Sequence, residues 1–151
     1  MKILKNFNRT LLLILILSPL HINAQMIYNQ CSSGTVSLDM TILESKVEKA
    51  VPTAQIQSIF QVLFRGVPGT NVETPLLTTN EDEWFNAFPE YFERLLNEKN
   101  GRYPSFIVSS VLLSKGKNED KKKYVSLRIC VNVNALNHDL ENHGIKRRFG
   151  L

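Results

Sequence analysis

Two segments of the chain alternate strictly between apolar and polar residues, and this pattern constrains the fold more than any other feature of the sequence. The first runs from Thr35 to Ile42 and the second from Tyr124 to Asn134. A period of two places all the apolar residues on one face of a β-strand, so each segment predicts a strand with one buried face. A third segment, Phe106 to Ser114, is apolar on both faces, which is typical of a central strand.

The first predicted helix follows the first strand. Apolar residues recur at helical spacing over residues 53–65, with Thr53 as the N-cap and Gly66 as the C-terminal stop. The segment from Leu76 to Thr79 predicts an additional short strand.

The remaining helices lie before and after the predicted hairpin. A break at Pro89 predicts two short helices, over residues 81–87 and 89–98. A further helix is expected from Ala135 to His143, with Asn134 as its cap. The last two strands form a hairpin with a long charged tip, and the whole order predicts an α+β domain. Its mainly antiparallel sheet combines the N-terminal strand with the C-terminal hairpin, and its helices cover one face.

The first 24 residues have the composition of a signal peptide. Lys2, Lys5 and Arg9 stand without an acidic residue before the apolar run from Leu11 to Leu20. That run is shorter than the ~20 residues that a membrane-spanning helix needs, so no transmembrane anchor is expected. We expect cleavage after Ala24 and export of the product to the periplasm or the medium.

Residues 25–151 are predicted to form one domain with a hydrophobic core. Three of the 18 Lys and Arg and none of the 14 Asp and Glu lie in residues 1–24, so the remainder carries 15 positive and 14 negative charges. A nearly neutral domain lacks the excess of Lys and Arg that displaces counterions from phosphates. Nucleic-acid binding is therefore not expected.

Cys31 and Cys130 are the only two cysteines, and both lie in the exported part. An oxidising compartment favours a disulfide between them over free thiols. Cys130 falls on the polar face of its strand, and Cys31 shares the parity of Ser37 and Asp39 if the chain before Thr35 is extended. The two sulfur atoms would then lie on one face of the sheet.

The aromatic region between residues 84 and 92 has a structural and a functional interpretation. Phe88 belongs to two adjacent helical stripes and is expected in the core. Trp84 and Tyr91 carry polar tips, so they are candidates for framing a groove that binds a partner protein or a glycan.

No credible catalytic, metal-binding or cofactor-binding set emerges from the sequence. His138, Asp139, Glu141 and His143 lie within six residues, but only Asp139 and His143 share a helix face. The glycines at 66 and 69 follow a helix instead of preceding one, so the loop does not predict a phosphate cradle. We therefore expect no cofactor.

Basic residues cluster at the hairpin tip, from Lys115 to Lys123, and in the tail, from Lys146 to Arg148. Such clusters are most often solvated surface. The alternative is electrostatic contact with an anionic membrane surface or an acidic partner.

Three stretches carry a resemblance to known proteins: residues 63–69, Glu81 to Phe92, and residues 139–146. Together they resemble small exported proteins of unassigned function from Bacteroidota-type bacteria, which implies a periplasmic or envelope location and assigns no active residue. The leading hypothesis is a non-catalytic envelope protein that binds another envelope protein or assists assembly. Binding of a small ligand or glycan is the alternative, and an enzyme of unknown class is a third possibility.

Overall fold

The two alternating segments pair with each other in the structure, a computed structural model that describes residues 32–78 and 80–147. Strand β1 (Thr35–Ile42) runs antiparallel to β3 (Lys123–Asn132). Strand β2 (Ile107–Lys117) pairs with the other side of β3, so the strand order is β1-β3-β2. In each strand pair, residues that lie opposite each other share a face of the sheet.

Four α-helices accompany this sheet in the described residues, and together they confirm the predicted α+β class. The helices are α1 (Val47–Phe64), α2 (Glu81–Ala87), α3 (Pro89–Leu96) and α4 (Val133–Asn142), and a short 3₁₀ helix (Tyr103–Phe106) leads into β2. The break at Pro89 divides α2 from α3 as the sequence predicts.

The main core lies between α1 and the pair β1 and β3. The alternating apolar residues of both strands are almost all buried on the face that α1 covers, and only Met40 is partly exposed. From the helix side, Ala54, Ile59 and Leu63 have no exposed surface. Because α1 makes far fewer contacts with β2 than with β1 or β3, the third strand lies beside this core and not beneath it.

The predicted start of α1 at Thr53 is wrong. The helix begins at Val47 and continues through Pro52. In the extra turns Ala50 is completely buried, and Val47 and Val51 are partly buried against the core, so the helix packs there despite the backbone hydrogen bond that proline removes. Thr53 does not cap the helix, since its hydroxyl donates to the Lys49 carbonyl within it at 3.3 Å.

The described residues of the predicted strand from Leu76 to Thr79 form an irregular loop. The amides of Leu76 and Leu77 donate to the carbonyls of Val62 and Leu63 at 3.2 and 2.9 Å. These carbonyls belong to the last turn of α1, where no later helical amide is available to bond them. The loop amides therefore cap the C-terminal end of the helix.

The loop also depends on Gly66. Its φ of +73° lies in the left-handed region, and a Cβ atom there would approach the Glu73 carbonyl oxygen to 2.1 Å. Any other residue at this position is excluded by backbone strain and by steric overlap.

The prediction that Phe106 to Ser114 forms a central strand is also wrong. Within the part of the chain that the structure describes, β2 is an edge strand and β3 is the central strand. Strand β2 continues three residues past its predicted end at Ser114, whereas β3 ends two residues before Asn134, and a five-residue tip, 118–122, connects them. At the far end of β3, Asn132 replaces the predicted Asn134 as the cap of α4, and its side chain accepts from the Ala135 amide at 3.0 Å.

Cys130 lies on the outer face of the sheet, opposite Ser37 in the register, as the alternation predicts. Its side chain is buried, with 1% exposure. Cys31 and the predicted signal peptide lie outside the described residues, so the disulfide and the export of the chain stay predictions. No helix in the described ranges is both long enough and apolar enough to cross a membrane.

The aromatic ring that lies fully in the core is that of Phe92, with 1% exposure, whereas Phe88 is only partly buried between α2 and α3. We expect Phe92→Ala to lower the free energy of unfolding by about 3–5 kcal/mol, because a buried ring is lost. Phe88→Ala should cost about half as much, since water already reaches part of its ring. Chemical denaturation of both variants measures the difference. An equal loss in the two variants would show that Phe88 is as much a core residue as Phe92.

Candidate functional site

The edge strand β2 carries the largest exposed apolar side chains of the sheet. Val108, Val111, Leu112 and Leu113 keep 56, 51, 45 and 42% of their surface exposed. Soluble proteins seldom leave a row of such residues on a free strand edge, because the unpaired backbone groups there invite another strand. We call the exposed side and side chains of residues 107–113 the β2 edge.

Apolar side chains of the β2 edge lie on both faces of the sheet. Leu112 is opposite Leu127 and therefore lies on the face that α1 covers elsewhere, whereas Val111 is opposite Arg128 on the outer face. Val108 and Leu113 lie at two irregularities in the pairing with β3. The strand thus offers apolar surface above, below and along its free side.

Helix α1 reaches β2 through a polar contact only at its margin. The Gln55 side-chain amide donates to the Ser110 hydroxyl at 2.9 Å, and both groups are solvent-exposed. This contact fixes the distance between helix and strand without covering Leu112. The β2 edge is held in place by the fold while remaining open.

A second candidate site is built around Asp139 on α4. The Arg102 guanidinium donates to both carboxylate oxygens of Asp139, at 3.0 and 3.1 Å, and the Tyr91 hydroxyl donates to one of them at 2.7 Å. The His143 ring lies 5.0 Å from the Tyr91 ring, measured between centroids. We call Tyr91, Arg102, Asp139 and His143 the Arg102 cluster.

The contacts in the Arg102 cluster shift the ionisation of its members. Burial raises the pKa of the Tyr91 hydroxyl above its ordinary value, and the hydrogen bond to the Asp139 carboxylate raises it further. Burial alone would raise the pKa of Asp139 as well, but the hydrogen bonds from Arg102 and Tyr91 outweigh it, and the pKa is lowered. Within the cluster, the ion pair of Arg102 and Asp139, together with the Tyr91 hydroxyl, therefore links α3, α4 and the loop before β2.

A cleft of about 630 Å³ opens beside this cluster. Its walls combine aromatic and apolar residues with an excess of cationic groups, and the lining is Ala87, Phe88, Pro89, Glu90, Tyr91, Arg94, Arg102, His143 and Ile145. Arg94 keeps 76% of its side chain exposed and lies 3.9 Å from the Glu90 carboxylate. One arginine at the cleft thus remains accessible to a ligand.

Trp84 and Tyr91 do not form a pair of exposed rings around a groove, because both rings are partly or largely buried. Trp84 is partly buried and stacks on Phe88 at 6.0 Å between centroids, and its indole N–H is buried without a hydrogen-bond acceptor in the described residues. Tyr91 has 8% exposure, and its hydroxyl is occupied by Asp139. Their contribution to partner binding stays a prediction, while the larger exposed apolar surface lies on β2.

The histidine and acidic residues at α4 form two separate pairs. The Nδ1 atom of His143 lies 3.7 Å from a carboxylate oxygen of Asp139, whereas His138 is 4.0 Å from Glu141. Among the described residues, no group of three or more His, Cys, Asp or Glu is arranged to hold a metal ion.

Sequence reasoning missed both the β2 edge and the role of Arg102. The apolar character of residues 106–114 was visible, but a single chain's pattern does not say which strand lies at the edge. Arg102 follows Gly101 in a connecting loop, where no periodicity marks its direction. The shared helix face of Asp139 and His143 was the one available signal for the cluster.

Comparison with protein families, with curated proteins and with solved structures finds no match to this chain.

We expect Asp139→Asn to lower the free energy of unfolding at neutral pH by about 1–3 kcal/mol, because Arg102 and Tyr91 lose a charged acceptor. The pKa of Asp139 is lower in the folded protein than in the unfolded chain, so its contribution is complete above the unfolded value and is lost as the pH falls through the folded one. The difference in the free energy of unfolding between the native protein and the variant should therefore become smaller below about pH 4. Thermal unfolding over a pH series measures it. A gap of constant size down to pH 2 would contradict this account.

Proposed function

We propose that this chain is an exported, non-catalytic protein of the cell envelope or periplasm that binds a partner protein through the β2 edge. The leader composition of residues 1–24 supports export. The single observation that supports partner binding most strongly is the row of exposed apolar residues on β2. A strand that is apolar on both faces, yet lies at the edge of its own sheet, has the composition of a strand that another chain completes.

The arrangement of polar groups supports binding over catalysis. In the Arg102 cluster, both Asp139 oxygens accept hydrogen bonds from Arg102 or Tyr91. A general base needs an oxygen that is free to take a proton from a substrate. Asp139 is therefore better suited to fixing the orientation of α4 than to proton transfer.

We expect the double variant Leu112→Glu/Leu113→Glu to fold normally and to lose its partner. Both residues are largely exposed, so the stability should change by less than ~1 kcal/mol. Two carboxylates at the contact would have to be desolvated when the partner binds. Crosslinking in the native cell, followed by identification of the captured protein, compares the native chain with the variant.

The matched control is Leu43→Glu. Leu43 is equally apolar and 62% exposed, but it lies beyond the end of β1 and not on β2. The Leu43→Glu variant should retain the crosslinked partner. Loss of the partner in the Leu43 variant, or its retention in the β2 variant, would place the interface elsewhere.

A second candidate function is the binding of a small ligand or glycan in the cleft beside the Arg102 cluster. The volume of about 630 Å³ lies within the range of ligand sites, and the lining joins the rings of Phe88 and Tyr91 to the exposed Arg94. Flat rings beside a cation suit a ligand with an apolar body and a carboxylate. They also suit the face of a sugar.

For this second function, we expect Arg94→Gln to weaken binding of an aromatic carboxylate by about tenfold, the value of one charge-assisted contact, without lowering the stability. Ligand-detected NMR with benzoate-type compounds and neutral oligosaccharides measures binding, and Lys99→Gln, an exposed charge outside the cleft lining, is the control. Equal binding by Arg94→Gln and the native protein would exclude a carboxylate at Arg94. Binding of the oligosaccharides alone would favour the glycan.

A further inference from the structure

The charged end of β2 carries a repulsion that the fold itself does not relieve. Lys117 lies directly opposite Lys123 in the hairpin register, and Lys115 lies on the same face two residues away. Like charges directly opposite each other destabilise a strand pair. Within the described ranges, none of these three lysines lies within 4 Å of a carboxylate. We call them the lysine end of β2.

The lysine end borders a space that a side chain can enter. A depression of about 350 Å³ is lined by Ser45, Gly116 and Tyr124 together with the three lysines. The Tyr124 ring packs close to Gly116, since a Cβ atom at that position would come within 3.2 Å of the ring. The strand thus presents an apolar half, Ile107 to Leu113, followed by a cationic end with room beside it.

Resting on the proposed function, we infer that the β2 edge takes an extended segment of a partner protein, antiparallel to β2, with apolar residues in its centre and a cluster of acidic residues at its N-terminal end. An antiparallel addition continues the pairing already present in the sheet. It brings the N-terminal end of the added strand beside Lys117 and its apolar centre beside residues 108–113. The acidic side chains then lie against the lysine end.

A second copy of this chain is a poorer occupant. Two β2 strands paired antiparallel would set Lys115 and Lys117 of each copy beside the apolar start of the other strand, Ile107 to Ser109. Two β2 strands paired parallel would set lysines against lysines. Lysine on an edge strand is also a common device against self-association. The charges therefore discourage self-pairing and favour an acidic partner.

The test measures binding of three fluorescent twelve-residue peptides to the mature protein, residues 25–151. One peptide has three acidic residues followed by alternating Val and Thr, the second has the same residues in reverse order, and the third has lysines in place of the acids. The acid-first peptide should bind about tenfold more tightly than either of the others, since two or three exposed ion pairs contribute about 1–2 kcal/mol together. Its affinity should fall as salt is added.

The variant Lys117→Glu separates binding from folding. It converts the repulsive pair with Lys123 into an attractive one, so the melting temperature should stay the same or rise. Affinity for the acid-first peptide should nevertheless fall about five- to tenfold, because an attraction becomes a repulsion. Lys99→Glu, the same change on an exposed lysine away from the sheet, should leave affinity unchanged.

The remaining outcomes decide between this inference and the proposed function. Equal binding of the acidic and lysine peptides, lost in Leu112→Glu/Leu113→Glu, would overturn the acidic partner and retain the β2 edge as an interface. If the protein forms a concentration-dependent dimer and Leu112→Glu/Leu113→Glu abolishes that dimer, the inference of an acidic partner is wrong and a second copy of the chain occupies the β2 edge. If no peptide binds and the double variant still captures its partner in the cell, both the inference and the proposed function are wrong.

Discussion

One helix covering a three-stranded sheet is the constraint on which the rest of this structure depends. An α-helix with its side chains is about 10–12 Å wide, and neighbouring strands lie about 4.8 Å apart. Helix α1 therefore covers two strands and leaves the third. It packs over β1 and β3, where Leu38, Leu127 and Ile129 are buried, and its Gln55 side chain donates a hydrogen bond to Ser110 on β2. The exposure of Leu112, on the face that α1 covers elsewhere, follows from this geometry.

The shorter helices bury their apolar residues in the core and make few contacts with β2. Helix α3 buries Phe92 and Leu95, and α4 buries Leu136 and Leu140. The Arg102 cluster ties these two helices to the loop before β2 through Asp139. The position of β2 is thus determined by well-packed neighbours, while its own side chains stay open. This combination of a rigid backbone and exposed apolar side chains suits a preorganised binding surface.

Local sequence patterns predicted which segments form helices and strands better than they predicted where those elements lie in the fold. The alternation of β1 and β3, the break at Pro89 and the hairpin all depend on residues close together in the chain, and all appear in the structure. The start of α1 was missed because Pro52 locally indicates a helix boundary, whereas the packing of Ala50 against the core depends on distant segments. The edge position of β2 and the pairing of Arg102 with Asp139 depend on contacts between distant segments. These contacts leave no period in the sequence.

The composition of β2 nevertheless contains information about its environment. Its apolar residues on both faces predict a strand with neighbours on both sides, and the described residues supply one, β3. The composition of β2 fits its edge position if a strand of a partner protein lies on its open side. The Lys117–Lys123 pair has the same character, since no carboxylate of the described residues lies within 4 Å of either lysine.

Hydrogen–deuterium exchange of residues 25–151, alone and with a protein captured by crosslinking, tests the proposal of a β2 interface most directly. In the free protein, the β2 amides that do not bond to β3 should exchange rapidly, because they face solvent on the open edge. In the complex, the amides of residues 107–113 should become protected, while those of β3 change little. Protection confined to the cleft beside the Arg102 cluster, with β2 still exchanging as in the free protein, would contradict the account.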